Sequence, residues 1–145
     1  MTRRVVVTGL GAVTPLGLDV NSTWDALTHG RSGIGRITRF DPSPYETQIA
    51  GEVKGFDAGK YMDRKEMRRT DRFTHYAVAA AAQALEDAGL KGGGSDRDRI
   101  GVAIATGVGG IETLIDQVLL MKDRGPSRLS PFLVPMLMAN AGSAQ

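Results

Sequence analysis

The chain has 145 residues, 41% of them hydrophobic and 23% charged, which is the composition of one globular domain and not of a disordered segment. It contains no cysteine, and this excludes a disulfide scaffold, a cysteine-ligated metal site and a cysteine nucleophile within these residues. Two histidines and a net charge of +2 give no basis for a metal site or for nucleic-acid binding, so we expect neither.

The chain opens with an apolar run that predicts a strand. Residues 4–8 (RVVVT) form a continuous stretch rich in β-branched side chains, which is typical of a strand buried on both faces. Gly9 and Gly11 end this run. Asn21 or Ser22 then offers an N-cap for a short helix.

The middle of the chain predicts a long loop followed by a long helix. Residues 31–62 are rich in glycine, proline and aspartate, with one candidate strand at 48–53. Residues 63–66 (DRKE) resemble a capping box, and we expect the helix that they open to continue to about Ala88. Residues 91–98 (KGGGSDRD) predict a polar surface loop.

The last third of the chain repeats the pattern of the first. Residues 99–106 (RIGVAIAT) predict a second buried strand, followed by a glycine turn at 107–110. Apolar residues then follow the spacing of an amphipathic helix, at Ile111, Leu114, Ile115, Val118 and Leu119. Gly125 ends this helix, and Ser130-Pro131 could begin another element. Residues 136–145 (MLMANAGSAQ) resemble a buried helix without a cap, so we expect the chain to be part of a longer polypeptide.

Two strand–turn–helix units with a helix between them predict an α/β layered sheet. Both glycine turns invite comparison with the dinucleotide-binding fingerprint, but neither completes it. Thr14 stands at the third glycine position of the first turn, and Glu112 at that of the second. We therefore expect these glycines to turn the chain and to pack helix against sheet, and we rank a dinucleotide-binding enzyme last among the possible functions.

No segment predicts insertion into a membrane. The uncharged stretches 5–18 and 129–145 contain proline and glycine, and neither reaches the ~20 apolar residues of a spanning helix. The first residues imitate a secretory signal only in part, because glycines interrupt the apolar run and no clear cleavage site follows. We therefore expect a cytoplasmic protein.

Four basic residues recur at helical spacing near the start of the predicted long helix: Lys65, Arg68, Arg69 and Arg72. On one continuous helix they would occupy a single arc of about 100°. Arg124 and Arg128 lie further along the chain and could add to this charge. Two interpretations remain open from the residues alone: a solvated helix face, or a patch that attracts an acidic protein or a phosphate. Aromatic residues are not interleaved with the cations, which disfavours binding of single-stranded nucleic acid.

The order of motifs along the chain resembles one family of condensing enzymes. RRVVVTGLGAVTPLG at 3–17 is similar to the amino-terminal signature of the β-ketoacyl-acyl-carrier-protein synthases of type II. The likeness continues through residues 71–73 (DRF), 107–110 (GVGG) and 130–135 (SPFLVP), so it covers the whole chain. The resemblance implies a thiolase-like α-β-α-β-α layered fold, of which this chain is the amino-terminal half. Residues 1–145 would then be the incomplete amino-terminal part of a ketosynthase domain that works as a homodimer.

The resemblance also implies an activity, which is the elongation of fatty acids by decarboxylative condensation of an acyl thioester with malonyl-acyl carrier protein. In that family one cysteine and two histidines carry the chemistry, and they lie beyond position 145. We therefore assign no catalytic residue here, and we expect the segment alone to be inactive. The implied partner is acyl carrier protein, which itself carries 4′-phosphopantetheine, so no cofactor of the chain's own and no metal is expected.

Several family roles map onto residues of this sequence. By the resemblance, carrier-protein docking falls on Lys65, Arg68, Arg69 and Arg128, whereas Ser127 stands where the family often has a basic residue. Val108 matches a position that lines the acyl pocket, and Leu133 matches an aromatic position that closes the pocket floor from the dimer mate. The alternative function is a chain-length-factor-like partner subunit of a polyketide synthase, which keeps the fold but lacks the cysteine.

Overall fold

The computed structural model describes residues 3–90 and 96–145, and these form two compact units. The first unit comprises residues 3–57 and 80–90, and the second comprises 58–79 and 96–145. Within these described residues the helices and strands are, in chain order, α1 (Val20–Thr28), β1 (Ile34–Arg36), β2 (Ile49–Gly51), α2 (Arg64–Met67), α3 (Arg72–Asp87), α4 (Ile111–Arg124) and α5 (Leu133–Leu137). Single 3-10 turns lie at Ala58–Lys60, Arg97–Arg99, Pro126–Arg128 and Ala141–Ala144.

In the first unit, the predicted N-caps of helix α1, Asn21 and Ser22, are wrong, because the helix begins before them at Val20. Asp19 is its N-cap, and the Asp19 carboxylate accepts a hydrogen bond from the Ser22 backbone N–H at 2.7 Å. An aspartate at this position satisfies an N–H that the helix leaves unpaired. The helix ends before Gly30, whose φ of 64° is the left-handed conformation common just after a helix.

The predicted strand at 48–53 is confirmed in a shorter form, since β2 pairs antiparallel with β1. Gly35 lies opposite Ala50 in this hairpin. Strand β1 was not predicted, because its three residues, IGR, carry no apolar alternation.

The second half of α3 belongs to the first unit and holds the preceding glycine turn. The Leu10 N–H donates to the Asp87 carboxylate at 2.9 Å, and the Ala12 N–H donates to the Gln83 Oε1 at 3.1 Å. Gly11 lies so close that a Cβ there would collide with the Ala80 carbonyl oxygen. The expected packing against a helix is present, and the helix is α3, but the predicted strand at 4–8 that would supply the sheet is not formed.

The two predicted buried strands at 4–8 and 99–106 are wrong for the described residues. Sheet pairing within residues 3–90 and 96–145 is confined to β1 and β2. Val5 is 91% exposed and Val102 is 61% exposed. The β-branched composition favours extended backbone, but a strand also needs a neighbouring edge to pair its N–H and C=O groups. Nothing in the described part of the chain supplies that edge to either segment.

The predicted long helix from 63–66 to Ala88 is two helices, because the chain leaves helical geometry between α2 and α3. Helix α4 is confirmed, and it ends at Gly125, which has a φ of 83°. The predicted helix over 136–145 is wrong, since α5 ends at Leu137 and a 3-10 turn follows. The predicted loop at 91–98 lies mostly outside the described residues. Among residues 3–90 and 96–145, no helix has the length and apolar character needed to cross a bilayer.

Candidate functional site

The capping box at the start of α2 fixes the backbone that carries the predicted docking cations. The Asp63 carboxylate accepts hydrogen bonds from the backbone N–H groups of Glu66, at 2.8 Å, and Lys65, at 2.7 Å. The Glu66 carboxylate in turn accepts a hydrogen bond from the Asp63 backbone N–H at 3.2 Å. Those two backbone hydrogen bonds, together with the positive charges of Lys65 and Arg69, hold the pKa of the Asp63 carboxyl below its usual value. The short helix is therefore well anchored at its start.

The predicted single arc of cations is wrong, because α2 ends before Arg68. The Arg69 N–H donates to the Glu66 carbonyl at 2.9 Å, and the Thr70 hydroxyl donates to the same oxygen at 2.8 Å. These local bonds replace the helical pattern, and α3 begins only at Arg72. The angular argument for one helix face does not apply across such a break.

Each cation of this segment therefore has its own environment. Lys65 and Arg68 are exposed, and the Arg68 Nε donates to the Arg64 carbonyl oxygen at 3.1 Å. Arg72 lies 3.9 Å from the Glu112 carboxylate, a loose ion pair at the surface. The cations of the predicted stripe are thus exposed, but they do not share one helix, because Lys65 alone among them lies on α2.

Arg69, just after α2, contacts the segment that follows Arg128, the other predicted docking residue. Its guanidinium carbon lies 4.6 Å from the centroid of the Phe132 ring, within the range of a cation–π interaction. Phe132 is the N-cap residue of α5, and Arg128 ends the 3-10 turn Pro126–Arg128 just before it. The Ser130 N–H donates to the Gln117 Oε1 of α4 at 2.7 Å, which fixes the same stretch from another side. The segment that carries Arg128 therefore leads into a direct contact with the α2 region.

Asp71 provides a second link from the same turn. This residue is only 8% exposed, and its carboxylate accepts hydrogen bonds from the Thr113 N–H at 3.3 Å and hydroxyl at 2.5 Å. It ties the start of α3 to the first turn of α4. Gly110 lies directly before α4, and a Cβ on it would approach the Asp71 carboxylate to 3.0 Å and collide with the Met136 carbonyl oxygen. The second glycine turn thus packs on α5, where a side chain would not fit.

The two predicted pocket residues lie on the two segments that pack together here, the glycine turn and α5. Val108 lies in the glycine turn and is 67% exposed. Leu133 is the first residue of α5 and is half-buried. The Gly110 N–H donates to the Leu137 carbonyl, at the other end of α5, at 3.4 Å. The turn and the helix are therefore neighbours, and the pocket role of Val108 and Leu133 stays a prediction.

Sequence reasoning missed two residues that organise this site, Phe132 and Asp71. Phe132 was part of a quoted motif, SPFLVP, but nothing in the spacing pointed to Arg69. Asp71 could have been noticed as the one acidic residue within the basic stretch RRTDR at 68–72. A lone carboxylate among cations is a candidate for a structural hydrogen bond.

Curated relatives match nearly the whole chain. It is 52% identical over 141 residues to 3-oxoacyl-(acyl-carrier-protein) synthase 2 of Synechocystis sp., covering 97% of this chain and 34% of that protein. It is 47% identical over 143 residues to the protein of the same name from Staphylococcus aureus, covering 99% of this chain and 34% of that protein. The chain therefore spans about a third of the length of these relatives.

Solved structures match the fold. The ishigamide ketosynthase/chain length factor aligns with a TM-score of 0.81 at 31% identity, over 98% of this chain and 36% of that chain. A β-ketoacyl synthase from Burkholderia phymatum aligns with a TM-score of 0.80 at 31% identity, over 99% and 36%. A type II polyketide ketosynthase, solved with its acyl-carrier protein and a bound hexaketide, aligns with a TM-score of 0.81 at 26% identity, over 100% and 39%.

These matches confirm the predicted thiolase-like α/β fold family. The sequence pattern described as the N-terminal domain of β-ketoacyl synthase matches residues 2–145. This chain therefore belongs to the β-ketoacyl synthase family, and the match is to the N-terminal domain of that family.

Proposed function

We propose that the complete protein is a 3-oxoacyl-acyl-carrier-protein synthase of fatty acid elongation. The observation that carries this proposal is the 52% identity, over 97% of the chain, to a synthase of that name. In the proposed reaction malonyl-acyl carrier protein loses its carboxylate as CO2. The electron pair left behind forms a carbon–carbon bond to the carbonyl carbon of the acyl thioester. The carbon–sulfur bond of that thioester breaks, and its sulfur leaves as a thiolate that takes up a proton. The product is a 3-oxoacyl thioester on the carrier protein.

The reacting groups of this proposal lie outside the 145 residues. The chain has no cysteine to take up the acyl group as a thioester. Its described part contributes a docking segment and a packed glycine turn instead. We therefore assign no catalytic residue here, and we expect the isolated segment to have no condensing activity.

The proposed partner is acyl carrier protein, docked on Lys65, Arg68 and Arg128, with Arg69 beside them. The support is the exposure of these cations, with Lys65 on α2, Arg68 and Arg69 just after it, and Arg128 on the 3-10 turn before α5. A solved relative was captured with its own acyl-carrier protein. A cationic rim of this kind speeds encounter with an acidic protein more than it adds final affinity. The partner brings the thioester arm, 4′-phosphopantetheine, so the proposal requires no cofactor or metal on this chain.

We also propose that the complete protein is a cytoplasmic homodimer. The apolar stripe of α4 offers surface for such association, because Ile115 is 53% exposed and Leu119 is 58% exposed. Exposed apolar side chains in a row are typical of a surface that meets another protein surface.

The second candidate is a cysteine-free partner subunit of a polyketide synthase. It is favoured by the likeness to a ketosynthase/chain length factor at 31% identity. It is less supported than the first candidate, because the synthase relative is 52% identical. The presence or absence of the cysteine in the complete protein distinguishes the two.

The test is an assay of the complete purified protein with acyl-acyl carrier protein and malonyl-acyl carrier protein, followed by mass spectrometry of the carrier. We expect a 3-oxoacyl carrier from the complete protein and none from residues 1–145 alone. No product from a folded complete protein that contains the cysteine would contradict the synthase proposal. Product from the segment alone would contradict the assignment of the chemistry to residues outside it.

A further inference from the structure

Among the four predicted docking cations, Arg69 makes a contact that the others do not show within the described residues. Its guanidinium carbon lies 4.6 Å from the Phe132 ring centroid, although Arg69 is exposed, as are Lys65 and Arg128. A guanidinium that lies on an aromatic face has one of its two faces covered by the protein itself. Arg69 therefore already makes an intramolecular contact through one face of its guanidinium before any partner binds.

We propose that Arg69 and Phe132 are positioning residues, which hold the segment of Arg128 at a fixed place beside α2. The inference rests on the proposed function, because it concerns the same docking surface. It changes the role of Arg69 from a cation that meets the carrier protein to a cross-link that sets the spacing of those that do.

The two stretches need such a cross-link because each is weak by itself. Helix α2 has only four residues, too few to be stable without other contacts. The 3-10 turn Pro126–Arg128 is held by local hydrogen bonds, from Arg128 to Gly125 at 3.3 Å and from Leu129 to Pro126 at 3.2 Å. The Arg69–Phe132 contact joins these stretches directly. An acidic partner that spans both binds more tightly if their separation is fixed in advance, because less ordering is left to occur on binding.

The contact is also supported from behind on the side of Phe132. The Phe132 N–H donates to the Ser130 hydroxyl at 3.1 Å, and the Ser130 N–H donates to Gln117 of α4 at 2.7 Å. The ring is thus presented by a braced turn and not by a loose loop. On the other side, Asp71 ties the residues after Arg69 to the first turn of α4. The segments that carry Arg69 and Phe132 are therefore both hydrogen-bonded to α4.

The test uses the complete protein and measures the Kd of holo-acyl carrier protein by titration calorimetry at several salt concentrations. Phe132→Leu removes the ring without changing any charge. An exposed cation–π contact corresponds to a change of about 2- to 5-fold in an equilibrium constant. We expect Phe132→Leu to raise Kd by about that factor, with an unchanged salt dependence. Phe132→Tyr keeps the aromatic face, and we expect it to restore binding.

Lys65→Gln is the matched control for a cation that meets the partner. It removes a charge at the rim, so we expect it to weaken the salt dependence of binding. The double variant Arg69→Gln/Phe132→Leu should bind no more weakly than Arg69→Gln alone, because both changes break one contact. Additive losses, or a Phe132→Leu variant that binds like the wild type, would overturn the inference. Equal weakening by Phe132→Leu and Phe132→Tyr would also overturn it.

If circular dichroism shows that Phe132→Leu does not fold, Arg69→Gln carries the test. A loss of affinity that persists as salt rises from about 0.1 M to roughly 0.3 M supports a positioning role, because screening removes most of the contribution of an exposed charge. A loss that disappears over this range overturns it. The proposed function fails separately: in that case the wild-type protein itself does not bind the carrier, whatever the variants do.

Discussion

At the scale of single residues, the turn between α2 and α3 uses neighbouring polar side chains for different tasks. Arg69 reaches Phe132 before α5, and Asp71, two residues later, reaches Thr113 in α4. A charged residue in a basic stretch is therefore not automatically part of a recognition surface. Its partner within the chain decides whether it recognises, positions or stabilises.

The Asp71–Thr113 contact should contribute measurably to stability. Thr113→Val keeps the shape of the side chain but removes the hydroxyl that donates to the buried carboxylate. A hydrogen bond to a charged group is worth about 1.5–3 kcal/mol. We expect Thr113→Val to lower the free energy of unfolding of the complete protein by about that amount, in urea titrations followed by circular dichroism.

Thr113→Ser is the control for this prediction, because serine keeps the hydroxyl and loses only a methyl group. It should retain most of the stability that valine loses. If the valine and serine variants unfold at the same urea concentration, the hydroxyl does not contribute as the geometry indicates.

At the scale of elements, the predictions succeeded where local signals decide the structure. The capping box at 63–66 and the stop of α4 at Gly125 are both present, because caps depend on residues within one turn of the helix end. The strands predicted at 4–8 and 99–106 failed, because strand formation depends on a partner edge that the same segment does not contain. The break at 68–71 was missed, because the side-chain and backbone bonds to Glu66 compete with helix continuation and leave no simple pattern.

The candidate site divides in the same way. Lys65, Arg68 and Arg128 could be named as docking candidates from the resemblance, because they match positions to which the family gives that role. The contact between Arg69 and Phe132 could not, because it depends on how two distant stretches approach each other in space. Sequence reasoning thus supplied the predicted docking cations but not the contact between Arg69 and Phe132.

The glycine turn that packs on α3 gives a test at this scale. In Gly11→Ala the added methyl group would meet the Ala80 carbonyl oxygen, a backbone atom that cannot rotate away. Overpacking of this kind costs about 1–3 kcal/mol. We expect Gly11→Ala to destabilise the complete protein by that amount in the same urea titrations.

Gly101→Ala is the matched control, because nothing lies within 4 Å of the added Cβ at that position. Away from close contacts, such a change stays within about 0.5 kcal/mol of the wild type. The packing argument for Gly11 is contradicted if both alanine variants have the same stability.

At the scale of the whole molecule, the described residues leave much apolar surface in contact with solvent. Val5 is 91% exposed, Val7 is 79% exposed, and the apolar stripe of α4 is exposed along its length. The chain spans about a third of the length of its synthase relatives. Surfaces of this kind are expected to be covered when a protein works, and large exposed apolar patches favour association. This is why the proposed activity and the carrier complex are tested on the complete protein.

The acyl pocket gives the last prediction at this scale. Leu133 begins α5, and the glycine turn that carries Val108 is hydrogen-bonded to the other end of the same helix. If these two residues line the pocket, a larger ring at 133 takes up space that the end of a long acyl chain would occupy. We expect Leu133→Phe to shift the products of the complete enzyme towards shorter chains, measured as the distribution of 3-oxoacyl lengths across a series of acyl-acyl carrier proteins.

Leu133→Met, which conserves side-chain volume, should keep the wild-type distribution, since swaps of equal volume disturb packing least. A Leu133→Phe enzyme that is active with an unchanged distribution removes Leu133 from the pocket, whereas a shift in both variants shows that shape and not volume sets the limit.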